Sequence, residues 1–404
     1  MNMKKMSQRI IALFATLVMI SGVCAASVSA ATTTTKQKYN NYVILSDSTE
    51  SGWGLPQYQN YWKYVEKRKV ICFRNIQKSA PWWVARATGA NLKQYAMPGA
   101  RTTELLYLLT GKGSYGGEVD YILKEIMPEL SEGSISTERL DRMRPIVIQS
   151  IKKADLITIS IGLNDCWVPI MASIYSAAND SGFTQNMTIP QYVDTHGGIK
   201  AIYYDFGRCL NTIVSNSDKR EKFTSQFMSG MAKWLSEYQV NMKLICDAIY
   251  ELNPNATLLI DGSYNPVNGW SITSAQDKLI QWCLNPYYEH LNIYKRAIAV
   301  SYKGNAKFVS QMGVELFSTQ LIDEQGFHIP LFETMSVDNT GYNPHPTEKG
   351  CAQQAINELN ALGVAIPVDL KRANGEPETS SVRSYYLNWA RRVTSLLNQG
   401  KIKY

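Results

Sequence analysis

The sequence predicts an α/β protein whose central parallel sheet is covered by helices on both faces. Five apolar, β-rich runs alternate with helical stretches along the chain, and this alternation is typical of such sheets. Each run except the last leads directly into a loop of small or polar residues. In open parallel sheets the ligand site lies beyond the carboxyl ends of the strands. These loops are therefore where we expect functional residues.

The elements follow from apolar spacing and from helix boundary signals. Ser79 can cap the first helix, and Asn253-Pro254 ends the long fourth one. That fourth helix carries aromatic and aliphatic residues at helical spacing, which we interpret as core. The predicted strands are Tyr42–Leu45, Leu92–Ala96, Leu156–Ile161, Thr257–Ile260 and Lys307–Ser310. The predicted helices are Ala80–Gly89, Thr102–Leu109, Arg139–Ala154 and Lys219–Leu252.

The N-terminal segment has the pattern of a secretory signal. Residues 1–30 hold a basic start, an apolar run over Ile10–Ile20 and a small-residue cleavage site at Val28-Ser29-Ala30. The apolar run is shorter than the roughly 20 residues that a membrane-spanning helix needs. We therefore expect a secreted protein with no stable membrane anchor, and a flexible lead-in over residues 31–40.

The remaining chain is long enough for one large domain with insertions. We expect this domain to span residues 41–366, with an insertion at about 167–218 that is rich in Ser, Asn and Gly and covers the site. Residues 367–404 form a C-terminal extension. Tyr386, Trp389 and Val393 share one face of an amphipathic helix there, which we expect to dock on the domain.

Charge and cysteine spacing exclude some classes of function. The net charge of +7 includes the basic residues of the N-terminal signal, and no run of basic residues forms a stripe, so nucleic acid is not an expected partner. Six cysteines follow residue 30, enough for about 15 disulfide pairings, and buried thiols are an equal alternative. Their irregular spacing gives no metal signature. We expect neither a metal nor a cofactor.

Three strings at predicted strand ends supply the parts of an acyl-transfer site. Ser46-Asp47-Ser48 offers a hydroxyl nucleophile, Gly162-Leu163-Asn164-Asp165 offers a side-chain amide, and the loop of His345 offers a base. Gly99 permits a close approach of the backbone, so that its N–H can be a further donor. Ser48, Gly99 and Asn164 would then form an oxyanion hole around a Ser48–His345 pair.

At these residues the chain resembles the SGNH, or GDSL-type, hydrolases over most of residues 41–363. The second and last blocks of that family are matched by Ala96-Met97-Pro98-Gly99-Ala100 and by His345-Pro346-Thr347-Glu348-Lys349-Gly350. The resemblance implies a flavodoxin-like three-layer α/β/α sandwich with a central five-stranded parallel sheet. It also implies hydrolysis of carboxylic esters without a metal, with carbohydrate deacylation common among secreted members.

The chain departs from the family pattern at two places. Ser46 replaces a glycine, which is a mild change if the backbone there is ordinary. Tyr342 stands where the family has an acidic residue, although a histidine base needs an acceptor for its other ring N–H. A backbone carbonyl near Tyr342 could orient His345, or Asp338 could complete a triad; we favour the carbonyl.

The sequence predicts a secreted serine esterase that deacylates a carbohydrate or glycan. Trp53 and Trp167 follow the motifs closely and could stack on a sugar, or could simply cover the sheet edge. The expected partner is a small-molecule or polysaccharide ester, and the oligomeric state stays open. The alternatives are a lipase, thioesterase or acyltransferase acting on longer acyl chains, and a catalytically silent glycan-binding protein on the same fold.

Overall fold

Five parallel strands form one sheet in the order β2-β1-β3-β4-β5. This is the flavodoxin-like order of a doubly wound α/β protein. The strands are β1 (Asn41–Ser46), β2 (Asn91–Ala96), β3 (Leu156–Ser160), β4 (Thr257–Asp261) and β5 (Ala306–Val309). The predicted fold class is confirmed, and each predicted strand agrees with the structure to within one residue at either end.

The computed structural model describes residues 39–52, 55, 57, 75–97, 99–112, 137–165, 215–265, 275–302, 304–311, 314, 345–346 and 348–374. All of them lie in one compact unit, Gln37–Tyr404. The helices in this part are α1 (Ala80–Thr88), α2 (Thr102–Thr110), α3 (Thr137–Lys152), α4 (Ser217–Leu252), α5 (Ala275–Ser301), α6 (Glu348–Leu362) and α7 (Val368–Asn374).

Alternate residues of each strand enter two separate cores, one on each face of the sheet. Val43 and Leu45 pack with the helices α2 to α5, whereas Tyr42 and Ile44 pack with α1, α6 and α7. Side chains of a strand point alternately to opposite faces, so both faces of this sheet are apolar. The result is three layers, helix on sheet on helix.

The apolar stripe of α4 is core, as predicted. Its side chains Phe223, Phe227, Met231 and Tyr238 are buried in the same cluster as Val43 and Leu45. The side chain of Asn216 accepts hydrogen bonds from the N–H groups of Asp218 and Lys219, which fixes the start of the helix. Asn216 and the first two residues of α4 fall inside the segment 167–218 that the sequence marks as an insertion.

Three helices, α5, α6 and α7, lie outside the four predicted helix ranges. Helix α5 continues through Asn285-Pro286, a dipeptide that usually ends helices because proline lacks an N–H and restricts the residue before it. Helix α7 buries Leu370 in the core of α1 and α6. The first residues of the C-terminal extension therefore share the core of the domain.

Some sequence predictions lie outside the described residues. These are the N-terminal signal, residues 31–38 of the lead-in, most of the insertion and the amphipathic helix around Trp389. The last two residues of the expected flexible lead-in instead belong to the domain, since Tyr39 is buried in the core and the N–H of Asn40 donates to Oδ2 of Asp155 at 2.8 Å. Within the described part of the chain, no helix combines the length and apolar character that crossing a membrane requires.

Candidate active site

Three of the predicted site residues follow three adjacent strands. Ser48 lies two residues beyond the end of β1, Gly99 three beyond β2 and Asn164 four beyond β3. Ser46 at the end of β1 pairs with the last residue of each neighbour, Ala96 of β2 and Ser160 of β3. The loops that carry Ser48, Gly99 and Asn164 therefore leave the sheet side by side at one carboxyl edge. Ligands of doubly wound sheets bind at this edge, where the strand order reverses.

The loop after β1 is a hydrogen-bonded turn around Ser48. Oδ1 of Asp47 accepts from the N–H of Thr49 at 2.9 Å and from its hydroxyl at 2.7 Å. Ser51 donates its N–H at 3.2 Å and its hydroxyl at 2.7 Å to the carbonyl oxygen of Ser48. These bonds fix the backbone on both sides of Ser48, which is buried. Ser46 ends β1 in ordinary strand conformation, so its replacement of glycine is indeed mild.

The loops after β2 and β3 are tied to each other. Nδ2 of Asn164 donates to the carbonyl oxygen of Ala100 at 2.9 Å. Asp165 accepts from the N–H of Thr102 at 2.9 Å and from its hydroxyl at 2.5 Å, at the first residue of α2. Gly99 has φ of 79°, a left-handed conformation that favours glycine. The Asn164 amide is thus oriented beside the backbone of residues 99–100.

Burial sets the charge state of the two aspartates at this edge. Desolvation raises the pKa of Asp47 to about 6, against the hydrogen bonds from Thr49 and the positive charge of Lys295. Desolvation also raises the pKa of Asp165 to about 6, against the hydrogen bonds from Thr102 and the charge of Arg101. Both carboxylates are therefore mostly ionised at neutral pH and lose their charge in mild acid.

Helix α6 brings His345 toward the same edge. Nε2 of Gln354 donates to Oε1 of Glu50, in the loop beyond β1, at 2.8 Å. One turn later, Glu358 accepts from the hydroxyl of Tyr42, near the start of β1, at 2.9 Å. The helix therefore runs antiparallel to the strands, and its N-terminus, three residues after His345, points to the carboxyl edge.

The imidazole of His345 is neutral at physiological pH. Burial lowers its pKa to about 3, because a charged ring loses solvation there. A neutral imidazole is the form that accepts a proton from a hydroxyl. Tyr342 and Asp338, which the sequence offers for orienting this ring, lie outside the described residues, as do Trp53 and Trp167.

Sequence reasoning missed a group of buried ionisable residues beneath the site. Glu50, Asp261 and Glu358 are all fully buried, and carboxylate oxygens of the three lie within 4.8 Å of one another. Lys295 on α5 is only 2% exposed and donates to the hydroxyl of Ser263 at 2.9 Å. Glu50 follows Ser48 closely and could have been noticed. Lys295 could not, since its helix was not predicted.

Burial and mutual repulsion favour the protonated forms of the three carboxyl groups. Burial raises the pKa of Glu358 to about 7, and burial together with the neighbouring carboxylates raises the pKa of Glu50 and Asp261 well above the usual range. Oε2 of Glu358 is hydrogen-bonded by the hydroxyls of Tyr42 and Thr158. Lys295 supplies positive charge to Asp261.

A small cavity lies behind the loop of Ser48, with space for about one water molecule. Its polar wall includes Asp47, Thr49, Lys295 and Gln354, and its other residues come from the ends of β3 and β4. The cavity therefore lies between the turn that carries Ser48 and the buried ammonium group of Lys295.

The two cysteines whose side chains are described are free and buried. They are Cys246 in α4 and Cys351 in α6, and desolvation raises the pKa of both thiols. For these two, the buried-thiol alternative is confirmed over a disulfide. The other cysteines lie where the structure describes no side chain.

No protein-family model matches this chain, and no curated protein does. Among solved structures, it is similar to an extracellular lipase from Streptomyces rimosus, at 17% identity over 80% of this chain and 99% of that one, with a TM-score of 0.41. It is also similar to phospholipase A1 from Streptomyces albidoflavus NA297 (16%, 80% and 99%, TM-score 0.40). A third is the lipase Lip_vut3 from a goat rumen metagenome (14%, 81% and 100%, TM-score 0.33).

The strand order and the positions of the motif residues can be compared with the pattern that the sequence resembles. The sheet has the flavodoxin-like order, and the blocks of Ser48, Gly99 and Asn164 follow three neighbouring strands at one carboxyl edge. The fold class and the placement of these motif blocks therefore agree with what the sequence resemblance to the SGNH, or GDSL-type, hydrolases implies.

Proposed function

We propose that this protein is a serine esterase of the SGNH type, which hydrolyses carboxylic esters through an acyl-enzyme. The hydroxyl oxygen of Ser48 attacks the ester carbonyl while His345 takes the hydroxyl proton. The tetrahedral intermediate collapses, the alcohol leaves with that proton, and the acyl group stays on Ser48. Water then attacks the acyl group by the same route and releases the acid.

The observation that carries this proposal is the bond from Asn164 to the carbonyl of Ala100. A side-chain amide has two N–H donors, and this bond uses one of them to fix the orientation of the group. The second can point to the oxyanion, together with the N–H groups of Ser48 and Gly99. Donors that are fixed before the reaction stabilise developing charge without reorganisation.

Neutral His345 supports the proposed role as base. A buried neutral imidazole is a weak base, however, because its protonated form loses solvation. The reaction therefore requires a group that stabilises the imidazolium, and we propose a carbonyl near Tyr342 or the carboxylate of Asp338 for this role. A backbone carbonyl would orient the ring, and a carboxylate would also stabilise its charge.

We further propose that the substrate is an acylated carbohydrate and that the protein is secreted. The signal-like pattern of residues 1–30 supports secretion. Trp53 and Trp167 lie close in sequence to Ser48 and Asn164, and indole rings stack well on sugar faces. Acetylated polysaccharide is the corresponding natural substrate class.

Hydrolysis of a chromogenic short-acyl ester tests the proposal. The wild type is expected to be active and Ser48→Ala inactive, because the acyl-enzyme cannot form. Ser301→Ala, at the exposed end of α5, is the matched control and should retain full activity. Equal hydrolysis by the wild type and Ser48→Ala would reject Ser48 as the nucleophile.

Two further measurements separate the alternatives. Stoichiometric fluorophosphonate labelling that depends on Ser48 identifies an enzyme, whereas no labelling identifies a silent binding protein. A series of acyl chain lengths then distinguishes a short-acyl carbohydrate esterase from a lipase or thioesterase. Release of acetate from acetylated polysaccharide is the result expected here.

A further inference from the structure

Lys295 is a buried ammonium group behind the loop of the proposed nucleophile. Its side chain comes from α5, is 2% exposed and lines the same cavity as Asp47. Its one described hydrogen bond goes to the hydroxyl of Ser263, beyond the end of β4. An ammonium group in the interior is costly unless nearby carboxylates compensate for its lost solvation.

Carboxylates from three strand ends face this ammonium group. Asp261 at the end of β4, Asp47 after β1 and Asp165 after β3 each favour its charged form, in decreasing order. Burial opposes them and lowers the pKa of Lys295 to about 8. Lys295 is thus still mostly protonated at neutral pH and becomes neutral in mild base.

Asp47 is the member of this group that touches the nucleophile loop. Its Oδ1 accepts both bonds from Thr49, and its carboxylate and Leu163 line the same cavity. The N–H of Asp47 donates to the carbonyl oxygen of Ser160 at 3.1 Å, so Asp47 joins the loop after β1 to the end of β3, where the loop of Asn164 begins. An ionised carboxylate accepts such bonds more strongly than a protonated one.

We propose that Lys295 is a positioning residue for the reaction: its ammonium group keeps Asp47 negatively charged and so holds the Ser48 loop in register with Asn164. This inference rests on the proposed esterase function. Lys295 itself touches neither the substrate nor the reacting atoms, and it acts on the reaction through Asp47.

Other ionisable groups also interact with Asp47 or with the carboxylates near Lys295. Glu50 faces Asp47 and Asp261 across the buried cluster, Glu358 faces Asp261, and Tyr238 of α4 faces Asp47. None of these groups is cationic, so Lys295 is the cation that acts on Asp47 among the described residues. Its removal would raise the pKa of Asp47 above about 6.

The consequence is an activity loss that depends on pH. Without Lys295, a larger fraction of Asp47 is protonated at neutral pH, the two bonds from Thr49 weaken and Ser48 loses its position. The acid limb of kcat therefore moves to higher pH. In the wild type, Lys295 itself becomes neutral above pH of about 8, so the two proteins should converge in base.

The experiment compares pH profiles of kcat and KM for the wild type, Lys295→Met and the control Lys307→Met, with a soluble chromogenic ester. Lys307 on β5 bonds to the carbonyl of Ala361, away from the site. We expect Lys295→Met to shift the acid limb upward by about one pH unit, which lowers kcat about tenfold on that limb. KM should change less than about twofold, and Lys307→Met should follow the wild type.

A double-mutant cycle keeps the inference testable if Lys295→Met folds poorly. Asp47→Asn imitates the protonated carboxyl and should lower kcat without an acid limb of its own. Lys295→Met added to Asp47→Asn removes both charges together and should cause no further loss of kcat. A further tenfold loss in the double variant would overturn the inference, since Lys295 would then act by another route.

The experiment distinguishes a failure of the proposed esterase function from a failure of the positioning role of Lys295. A wild type that hydrolyses no ester overturns the proposed function and this inference with it. An active wild type whose pH profile is reproduced by Lys295→Met overturns only the positioning role.

Discussion

The side-chain amide of Asn164 donates a 2.9 Å hydrogen bond to the carbonyl oxygen of Ala100. This bond crosses between the loops of two strands that are not neighbours, since β1 lies between β2 and β3. The loop of Ser48 leaves the sheet from that middle strand. The amide of Asn164, after β3, and the carbonyl group of Ala100, after β2, thus meet above β1, whose loop carries the hydroxyl of Ser48.

Replacement of Asn164 by alanine tests the role of this amide. We expect Asn164→Ala to lower kcat by about 10²–10³-fold, with a much smaller change in KM, because the donor acts on charge that develops in the transition state. Steady-state kinetics on a chromogenic ester measures both. Asn255→Ala, at an exposed site before β4, is the control. An Asn164→Ala variant as active as this control would remove the amide from the oxyanion hole.

Gly162 is required at its position for two independent reasons. Its φ is +121°, and a Cβ there would lie 2.7 Å from Cε2 of Tyr238. We expect Gly162→Ala to lower the free energy of unfolding by about 2–5 kcal/mol, from backbone strain and overpacking together. Urea denaturation measures the change.

Gly304→Ala separates these two contributions. Gly304 has φ of +92°, but a Cβ there would have no atom within 4 Å. This variant should lose only the strain part, about 1–3 kcal/mol. Equal losses in the two variants would mean that the contact with Tyr238 contributes nothing.

The lowered pKa of His345 predicts a dependence of stability on pH. The folded protein keeps the ring neutral down to a pKa of about 3, whereas the unfolded chain takes up the proton below about 6.5. Stability from this residue is therefore present above about pH 6.5 and falls by up to about 1.4 kcal/mol per pH unit below it. His345→Gln should remove that slope.

Denaturant unfolding of the wild type and His345→Gln at about pH 7, 6 and 5 measures this difference. Asp47 and Asp165, whose raised pKa values give the opposite slope, are present in both proteins and cancel in the comparison. If His345→Gln and wild type run parallel, the ring is not held neutral by burial.

The raised pKa of Glu358 predicts the opposite pH dependence, a stability that falls as the pH rises. Burial raises its pKa to about 7, so the folded state binds a proton that the unfolded chain has released. The cost of the charged form appears as the pH rises through about 7. Glu358→Gln imitates the protonated carboxyl and keeps an acceptor for the hydroxyls of Tyr42 and Thr158.

We therefore expect Glu358→Gln to be more stable than the wild type in mild base and to lose this advantage in mild acid. Thermal unfolding across that range measures the crossing. A Glu358→Gln variant that is less stable at every pH would show that the carboxyl group is needed in its charged form.

Most of the sheet could be predicted from the sequence, because β1, β3 and β4 are short apolar runs buried on both faces. Tyr42–Leu45 and Leu156–Ile161 are such runs, and the structure agrees with both to within one residue. Helix α5 could not be predicted, since Pro286 imitates a boundary and only packing against the sheet keeps the helix continuous. Tertiary contacts overrode a local signal there.

The motif residues alone determined which groups this protein offers for chemistry: a hydroxyl at Ser48, an amide at Asn164 and an imidazole at His345. Their residue types are local properties, which a sequence displays directly, and so are the positions of Ser48 and Asn164 after strands and of His345 before a helix. Only the tertiary structure decided that Lys295, Asp261 and Glu358 meet behind the nucleophile loop. Their charge states depend on burial and on neighbours that are distant in sequence, and no local pattern encodes those.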